Sequence, residues 1–192
     1  MKSTAGGFRQ LDQDKQMIAP GNLLISHPHW ADDEFIDSVL LITEHTPYST
    51  VALQLNKPIF TTLQDLVLKQ GFECNITDTA YKGGSFNPGA LIMLHDNSWY
   101  SSNTMPINKK WSISSDHFMI DKLADGNTPR QFRCMLGVSG WEPGQLENEL
   151  MGSKPRWMIL KSPPESLIMA KYNEQYQLAI NQVSKYLTAQ YF

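Results

Sequence analysis

Apolar residues fall in short runs punctuated by proline and polar turn residues, most plainly in the first third of the chain. Residues 23–25 are apolar and stop at the turn His27-Pro28-His29. An acidic connector, Asp32-Asp33-Glu34, leads into a second run over 39–42 that ends at Glu44-His45. A turn through Thr46-Pro47-Tyr48 follows, then a third run over 50–55 that stops at Asn56-Lys57-Pro58. Runs this short, closed by turn residues on both sides, predict buried strands. Three in succession predict a sheet that later helices must cover.

The pattern then changes period. Over 61–71 the residues Leu63, Leu66 and Val67 fall at helical spacing, with Thr61 or Thr62 as N-cap and Gly71 as the stop. Residues 72–78 read as a loop, 81–84 as a strand meeting a tight turn at Gly83-Gly84, and 89–95 as a buried strand. The polar stretch 96–108 is an excursion that Trp99 and Tyr100 pack down in part, and 111–113 alternates like a strand. Ser114-Ser115-Asp116 predicts the cap of a helix over 117–123 that closes at Asp125-Gly126-Asn127. A long strand over 130–138 is expected to run into a Gly-rich turn, Ser139-Gly140-Trp141, with Pro143 in the first turn of a following helix. Another strand covers 156–160. After Pro163-Pro164 one helix is expected over 165–187, with Ile168, Tyr172, Tyr176, Ala179, Ile180 and Val183 as its packed face. The helices are interspersed with more strands than a βαβ array needs. The expected fold is therefore α+β, a single domain over 20–192 preceded by a polar, mobile N-terminal arm over 1–19.

Composition narrows the class. At 192 residues, 41 % hydrophobic and 18 % charged, the chain is long enough and apolar enough to bury one core. Its 16 Lys and Arg against 19 Asp and Glu give a net charge of −3, and no basic cluster exceeds Lys109-Lys110. Specific duplex DNA binding is not expected from that balance. No apolar run has the length of a membrane span and the N-terminus lacks a signal-peptide core, so no membrane is expected and the expected compartment is the cytoplasm. The two cysteines, Cys74 and Cys134, lie far apart without a CxxC pair, which argues against a disulfide or a zinc ribbon. Cys134 sits in an apolar run and reads as a small core residue.

Three blocks resemble one family. The opening signature is Gly21, Leu24, Pro28, Asp32, Phe35, Ser38-Val39, Glu44-His45, Asn56 and Pro58. The second is Gly83-Gly84 followed by the apolar run 90–94 and His95, similar to a Gly-Gly-Pro segment leading to a Leu-His pair. The third and most specific is Leu136-Gly137, Gly140-Trp141, Pro143-Gly144-Gln145-Leu146-Glu147 and Glu149. Together, from about Gly21 to about Ala179, these resemble the bacterial YqgE/AlgH proteins, to which the label of transcriptional regulator is sometimes attached. The resemblance implies a branched mixed or antiparallel sheet curled toward a pseudo-barrel with helices packed outside. The sequence departs from that pattern at Tyr48-Ser49-Thr50, which lacks glycine, at Lys57, where Arg is common, and at Tyr176, which replaces a Trp. If that turn shapes a site, its activity here is altered or lost.

Candidate chemistry is sparse. His27 and His29 with Asp32 and Asp33 carry metal-ligand types, but Pro28 interrupts the strand geometry a shared face would need, and no metal is expected. Asp32 reads as a turn cap whose carboxylate takes backbone N–H groups before Phe35 packs inward. Glu44 and His45 are adjacent on a strand and so point to opposite faces. Gly83 and Gly84 can leave N–H groups for an anion. Trp141 between Gly140 and Pro143-Gly144-Gln145 is the best candidate recognition surface, with a core plug as the competing reading. No nucleophile elbow or Ser-x-x-Lys occurs, and no cofactor or catalytic residue is assigned. The candidate ligand-binding set is His45, Gly83, Gly84, His95, Gly140, Trp141, Gly144 and Gln145. The expected function is a cytoplasmic binding or regulatory module for a small molecule or protein partner. The alternative is a hydrolase using His45 or His95 with Glu44 or Asp116.

Overall fold

The computed structural model describes residues 18–30, 34–151 and 153–190. Its strands are β1 (Leu23–Ser26), β2 (Val39–His45), β3 (Thr50–Gln54), β4 (Pro58–Thr62), β5 (Thr79–Lys82), β6 (Phe86–Asp96), β7 (Met105–Pro106), β8 (Trp111–Ser114), β9 (Phe132–Trp141) and β10 (Trp157–Leu160). The helices are α1 (Leu63–Lys69), α2 (His117–Ala124), α3 (Gln145–Leu150), α4 (Glu165–Ile168) and α5 (Tyr172–Gln190). The main path of the sheet runs β10-β1-β2-β3-β9-β6-β8-β7, with β4 and β5 as a branch joined through β9. All pairings are antiparallel except β5 with β9. This is the expected α+β architecture, a single domain built on a curled half-barrel.

The continuous apolar runs arise because the sheet is covered on both faces. Leu23, Ile25, Val39, Leu41, Leu53, Ile92, Leu94 and Met135 point into one core, which α4 and α5 close with Leu167, Ile168, Ala179 and Val183. The intervening residues Leu24, Leu40, Ile42 and Ala52 point the other way, onto Trp141, Trp157 and Leu146 of α3. A third cluster lies under α1 and α2 and holds Leu91, Met93, Cys74 and Cys134. Alternate residues of one strand thus serve two cores, and each buried Leu or Ile contributes roughly 1.5–3 kcal/mol.

The branch point is β9. Its first half pairs with β6 and, in parallel, with β5; its last three residues pair with β3. Gly137 makes the change of direction at φ +72°, and a Cβ there would stand 2.6 Å from the Gly84 carbonyl oxygen. Gly84 is the matching close approach, since its Cβ would lie 2.0 Å from the Val138 carbonyl carbon. Two backbones meet where side chains cannot fit.

Local signals placed most elements correctly. Thr62 caps α1 through the Asp65 N–H, with Asp65 answering to the Thr62 N–H as a capping box. Asp116 caps α2 by accepting from the Met119 N–H. Four expectations are corrected. Gly140-Trp141 is not a turn but the paired end of β9, because β3 supplies the hydrogen-bonding partner. Helix α3 begins after Gly144, whose left-handed backbone makes it the N-cap, so Pro143 stands outside the helix. The C-terminal helix is interrupted over 169–171 into α4 and α5. Tyr172, at 47 % exposure, is not on the packed face, where Gln175 is buried instead. The expected N-terminal arm and the Asp32 cap lie outside the described residues, apart from Ile18 and Ala19, and Ile18 is buried against Leu24, Leu40 and their neighbours.

Candidate functional site

The turn between β2 and β3, the start of β6, the end of β9 and the approach to α3 surround a cleft of about 630 Å³. Its lining includes Trp30, Glu34, Phe35, Tyr48, Thr50, Ser85, Phe86, Gly140, Trp141, Glu142, Gln145, Glu149 and Arg156. The volume is that of a small-molecule site. Two rings stand free in it: Tyr48 is 81 % exposed and Phe86 61 %. Tyr48 is held out by a turn in which the Thr46 hydroxyl oxygen accepts the N–H groups of Tyr48 and Ser49, at 3.2 and 3.1 Å. That hydroxyl braces a turn in which no residue takes the positive φ that would call for glycine. Phe86 lies beside Gly140, where an added Cβ would touch its ring at 3.5 Å.

Glu149 fastens the floor. One carboxylate oxygen accepts the indole N–H of Trp141 at 3.0 Å and that of Trp157 at 2.8 Å. The other accepts from the Gln145 amide at 3.2 Å and pairs with Arg156 at 3.3 Å. Trp141 is only 5 % exposed and meets Trp157 edge-on, with ring centroids 5.9 Å apart. Trp30 meets Trp157 at 4.6 Å, and the Arg156 guanidinium lies over the Trp30 ring at 5.4 Å. At the opposite wall Glu34 accepts from Lys82 at 3.0 Å and from the Ser85 hydroxyl. Burial pushes the Glu34 carboxyl up, but the bonds from Ser85 and Lys82 and the Lys82 charge outweigh it and hold it below the usual range.

The structure brings together three of the sequence-predicted residues, Gly140, Trp141 and Gln145, as lining of this cleft. His45 touches it indirectly, bonding Thr50 Oγ1 at 2.8 Å through Nδ1. Gly144 borders α3 without lining the cleft. Gly83 and Gly84 are buried against β9, and the Gly83 N–H is bonded to the Leu136 carbonyl at 2.8 Å. His95 is elsewhere and wholly buried: its Nδ1 lies 2.9 Å from the Asp96 carbonyl, and its Nε2 lies 3.0 Å from Ser114 Oγ. A carbonyl only accepts, so Nδ1 carries the proton and Nε2 accepts from Ser114. Burial lowers the His95 pKa more than the Asp96 carbonyl bond and charge raise it. Asp116 is linked to this network through Ser101, Thr104 and Ser114, but as a helix cap. Glu44 is exposed on β2. Glu44, His45, His95 and Asp116 do not share one concave pocket.

The sequence marks the cleft's rim only through the Tyr48-Ser49-Thr50 turn, and marks neither Phe86 nor the fastener Glu149 as a site residue. Tyr48 and Phe86 each lie between turn residues, in Thr-Pro-Tyr-Ser and Ser-Phe-Asn-Pro-Gly, and a large ring among turn residues is the signal that was available. A second cleft, about 510 Å³, lies among Asp96, Lys110, Arg130, Gln131 and Glu165. Lys110 there pairs with Glu165, and Asp96 accepts from the Gln131 N–H at 2.7 Å. It has no aromatic wall and holds none of the candidate residues. No group of three or more His, Cys, Asp or Glu side chains suited to a metal occurs among the described residues. Likewise, among the described residues no helix is long and apolar enough to cross a membrane.

Fold and cleft define a class: a one-domain α+β protein whose curled, branched sheet carries an aromatic cleft at the end of its central strand. Residues 23–187 match a family model described as AlgH-like. The chain belongs to the AlgH-like family. A UPF0301 protein of Cupriavidus pinatubonensis is 32 % identical over 172 residues, covering 84 % of this chain and 88 % of the relative. One from a Marinomonas strain is 27 % identical over 162 residues, covering 82 % and 85 %. Among solved structures, the solution structure of AlgH from Pseudomonas aeruginosa matches with a TM-score of 0.74 at 23 % identity, over 95 % of this chain and 93 % of that one. A crystal structure of a Corynebacterium diphtheriae protein matches with a TM-score of 0.67 at 19 % identity, over 84 % and 85 %. These two likenesses concern the fold.

Proposed function

We propose that this chain is a cytoplasmic, non-catalytic binding module whose regulatory ligand or partner occupies the cleft bordered by Tyr48, Phe86 and Trp141. The carrying observation is that two exposed aromatic rings from separate elements border one ligand-sized cleft over a fully bonded floor. Isolated exposed rings are ordinary, but rings converging on one concavity mark a binding surface. The carboxylates Glu149 and Glu34 are engaged in holding walls and floor, which favours binding over proton transfer. The hydrolase reading draws less support, because its histidines and acids are dispersed and convergence is what such chemistry needs. Cytoplasmic residence is supported by two buried, unpaired cysteines.

A thermal-shift screen of metabolites tests the reading, since a ligand selective for the folded state raises the melting temperature. A hit is expected to lose its shift in the Tyr48→Ser/Phe86→Ser double variant, whose own melting temperature stays close to wild type. A hit that shifts both proteins equally binds elsewhere and refutes this assignment of the cleft.

A further inference from the structure

We infer that the ligand of this cleft is a small organic cation, an ammonium or guanidinium carried on an apolar body. The inference rests on the binding reading above and specifies its chemistry. Glu34, Glu142 and Glu149 line the cleft against one guanidinium, that of Arg156. Arg156 is already committed to Glu149 and to the Trp30 ring. Lys82 answers Glu34 from outside the lining. Glu142 is exposed, and its carboxylate has no hydrogen bond or ion pair among the described residues. Among the described residues, one carboxylate of the lining is thus left unanswered in a cleft that two exposed rings also line.

Aromatic faces attract a cation through their quadrupole, and a nearby carboxylate adds to the attraction. The wall already holds one such contact, since Arg156 over Trp30 is a cation on an aromatic face inside the same cleft. An anion would meet Glu142 and the ring faces, both repulsive. A neutral apolar body would cover Glu142 without pairing it, at a cost in desolvation. The volume of about 630 Å³ lies within the range of small-molecule sites.

The test compares three probes that share a benzyl ring: benzyltrimethylammonium, benzyl alcohol and phenylacetate. Each is titrated to its solubility limit, with binding read by tryptophan fluorescence and ligand-observed NMR. The cation is expected to bind at least about fivefold more tightly than benzyl alcohol, with phenylacetate weakest. Glu142→Gln, an exposed substitution, is expected to weaken the cation about threefold and to leave benzyl alcohol unchanged. Tyr48→Ser is expected to weaken all binding. Equal affinities for the three probes, all lost in Tyr48→Ser, overturn the cation assignment and leave the binding cleft standing. Binding insensitive to Tyr48→Ser overturns the cleft itself. Absence of benzyltrimethylammonium binding overturns the inference.

Discussion

Replacing Glu149 with alanine should unfasten the floor of the cleft, and the structure sets the magnitude. Two indole N–H groups, on side chains 5 % and 2 % exposed, lose the oxygen that now accepts both. A buried donor left without a partner costs about 1–3 kcal/mol, so the pair alone accounts for about 2–6 kcal/mol. The Arg156 contact adds little, because its side chain is 56 % exposed and such pairs contribute about 0–1 kcal/mol. Glu149→Ala is therefore expected to cost about 3–5 kcal/mol, a large share of a typical total of about 5–15 kcal/mol. Glu149→Gln is milder. Its amide oxygen can keep both indoles, while its NH₂ turns toward the donors Gln145 and Arg156, which are exposed and can take water. A cost of about 1 kcal/mol follows. Urea unfolding, followed by fluorescence and circular dichroism at unchanged m-value, measures both. The decisive control is a double-mutant cycle with Trp141→Phe, which removes the N–H and keeps most of the ring. Coupling of about 1–2 kcal/mol between the two positions is expected. A Glu149→Ala cost below about 1 kcal/mol, or no coupling, would refute the fastening argument.

Two further outcomes follow from the same geometry. Gly84→Ala should cost about 3 kcal/mol or more, since the new Cβ lies 2.0 Å from the Val138 carbonyl carbon and 2.1 Å from the Ser139 nitrogen; Gly89→Ala, with nothing within 4 Å, should change stability by about 0.5 kcal/mol or less, and equal effects in denaturant melts would contradict this. Stability should fall on acidification in two stages: His95, whose folded pKa is lowered chiefly by burial, stabilises fully above its unfolded pKa of about 6.5 and loses that contribution as pH drops through the lower folded value. His27, lowered by burial and then by His29, acts in the same direction, so His95→Gln should shrink this first loss without abolishing it. The second loss begins below about pH 4, where Asp96 and Asp116 protonate; burial raises both carboxyls, but hydrogen bonds outweigh it and hold them low. Stability that rose from about pH 7.5 to about pH 5.5 would contradict the sign.

What the sequence displayed was whatever the chain settles locally. Thr62 and Asp116 announce helices because a cap is a contact across three residues. The runs 23–25, 39–42 and 50–55 announce strands because both faces of the sheet are covered, and burial on both sides removes the polar alternation. Contacts distant in sequence were not displayed. Gly140 looks like a turn residue until β3 is placed against β9, and only then does the run through Trp141 become a strand. Gly83 and Gly84 carry no sign of the backbone they approach, about fifty residues downstream, so their spacing suggested an anion nest. The break at 169–171 has no proline or glycine to mark it; Gln175 turns its amide to the carbonyls of Leu167 and Ile168 at 2.8 and 2.9 Å and so takes up groups that a continuous helix would have bonded itself. For the cleft, Gly140, Trp141 and Gln145 were visible as a block, whereas Tyr48 and Phe86 acquire meaning only once two distant turns come together.

The cleft divides by mechanical role, and that division bears on function. Trp141, Trp157 and Glu149 are buried and mutually bonded, so their cost of removal is large whether or not a ligand exists. Tyr48 and Phe86 have few neighbours to lose, and exposed substitutions of this kind change stability by about 0.5 kcal/mol or less. Folding therefore places little demand on a ring at either position, and water disfavours both. The Thr46 hydroxyl nonetheless holds the turn that presents Tyr48, and Gly140 leaves the space beside which Phe86 rests. A floor already bonded through Glu149 leaves the protein little to reorganise when a ligand spans these two rims. The consequence can be measured as a separation of effects. Changes at the floor should move stability and binding together, because the floor sets the spacing of the rims. Changes at the rims should move binding alone.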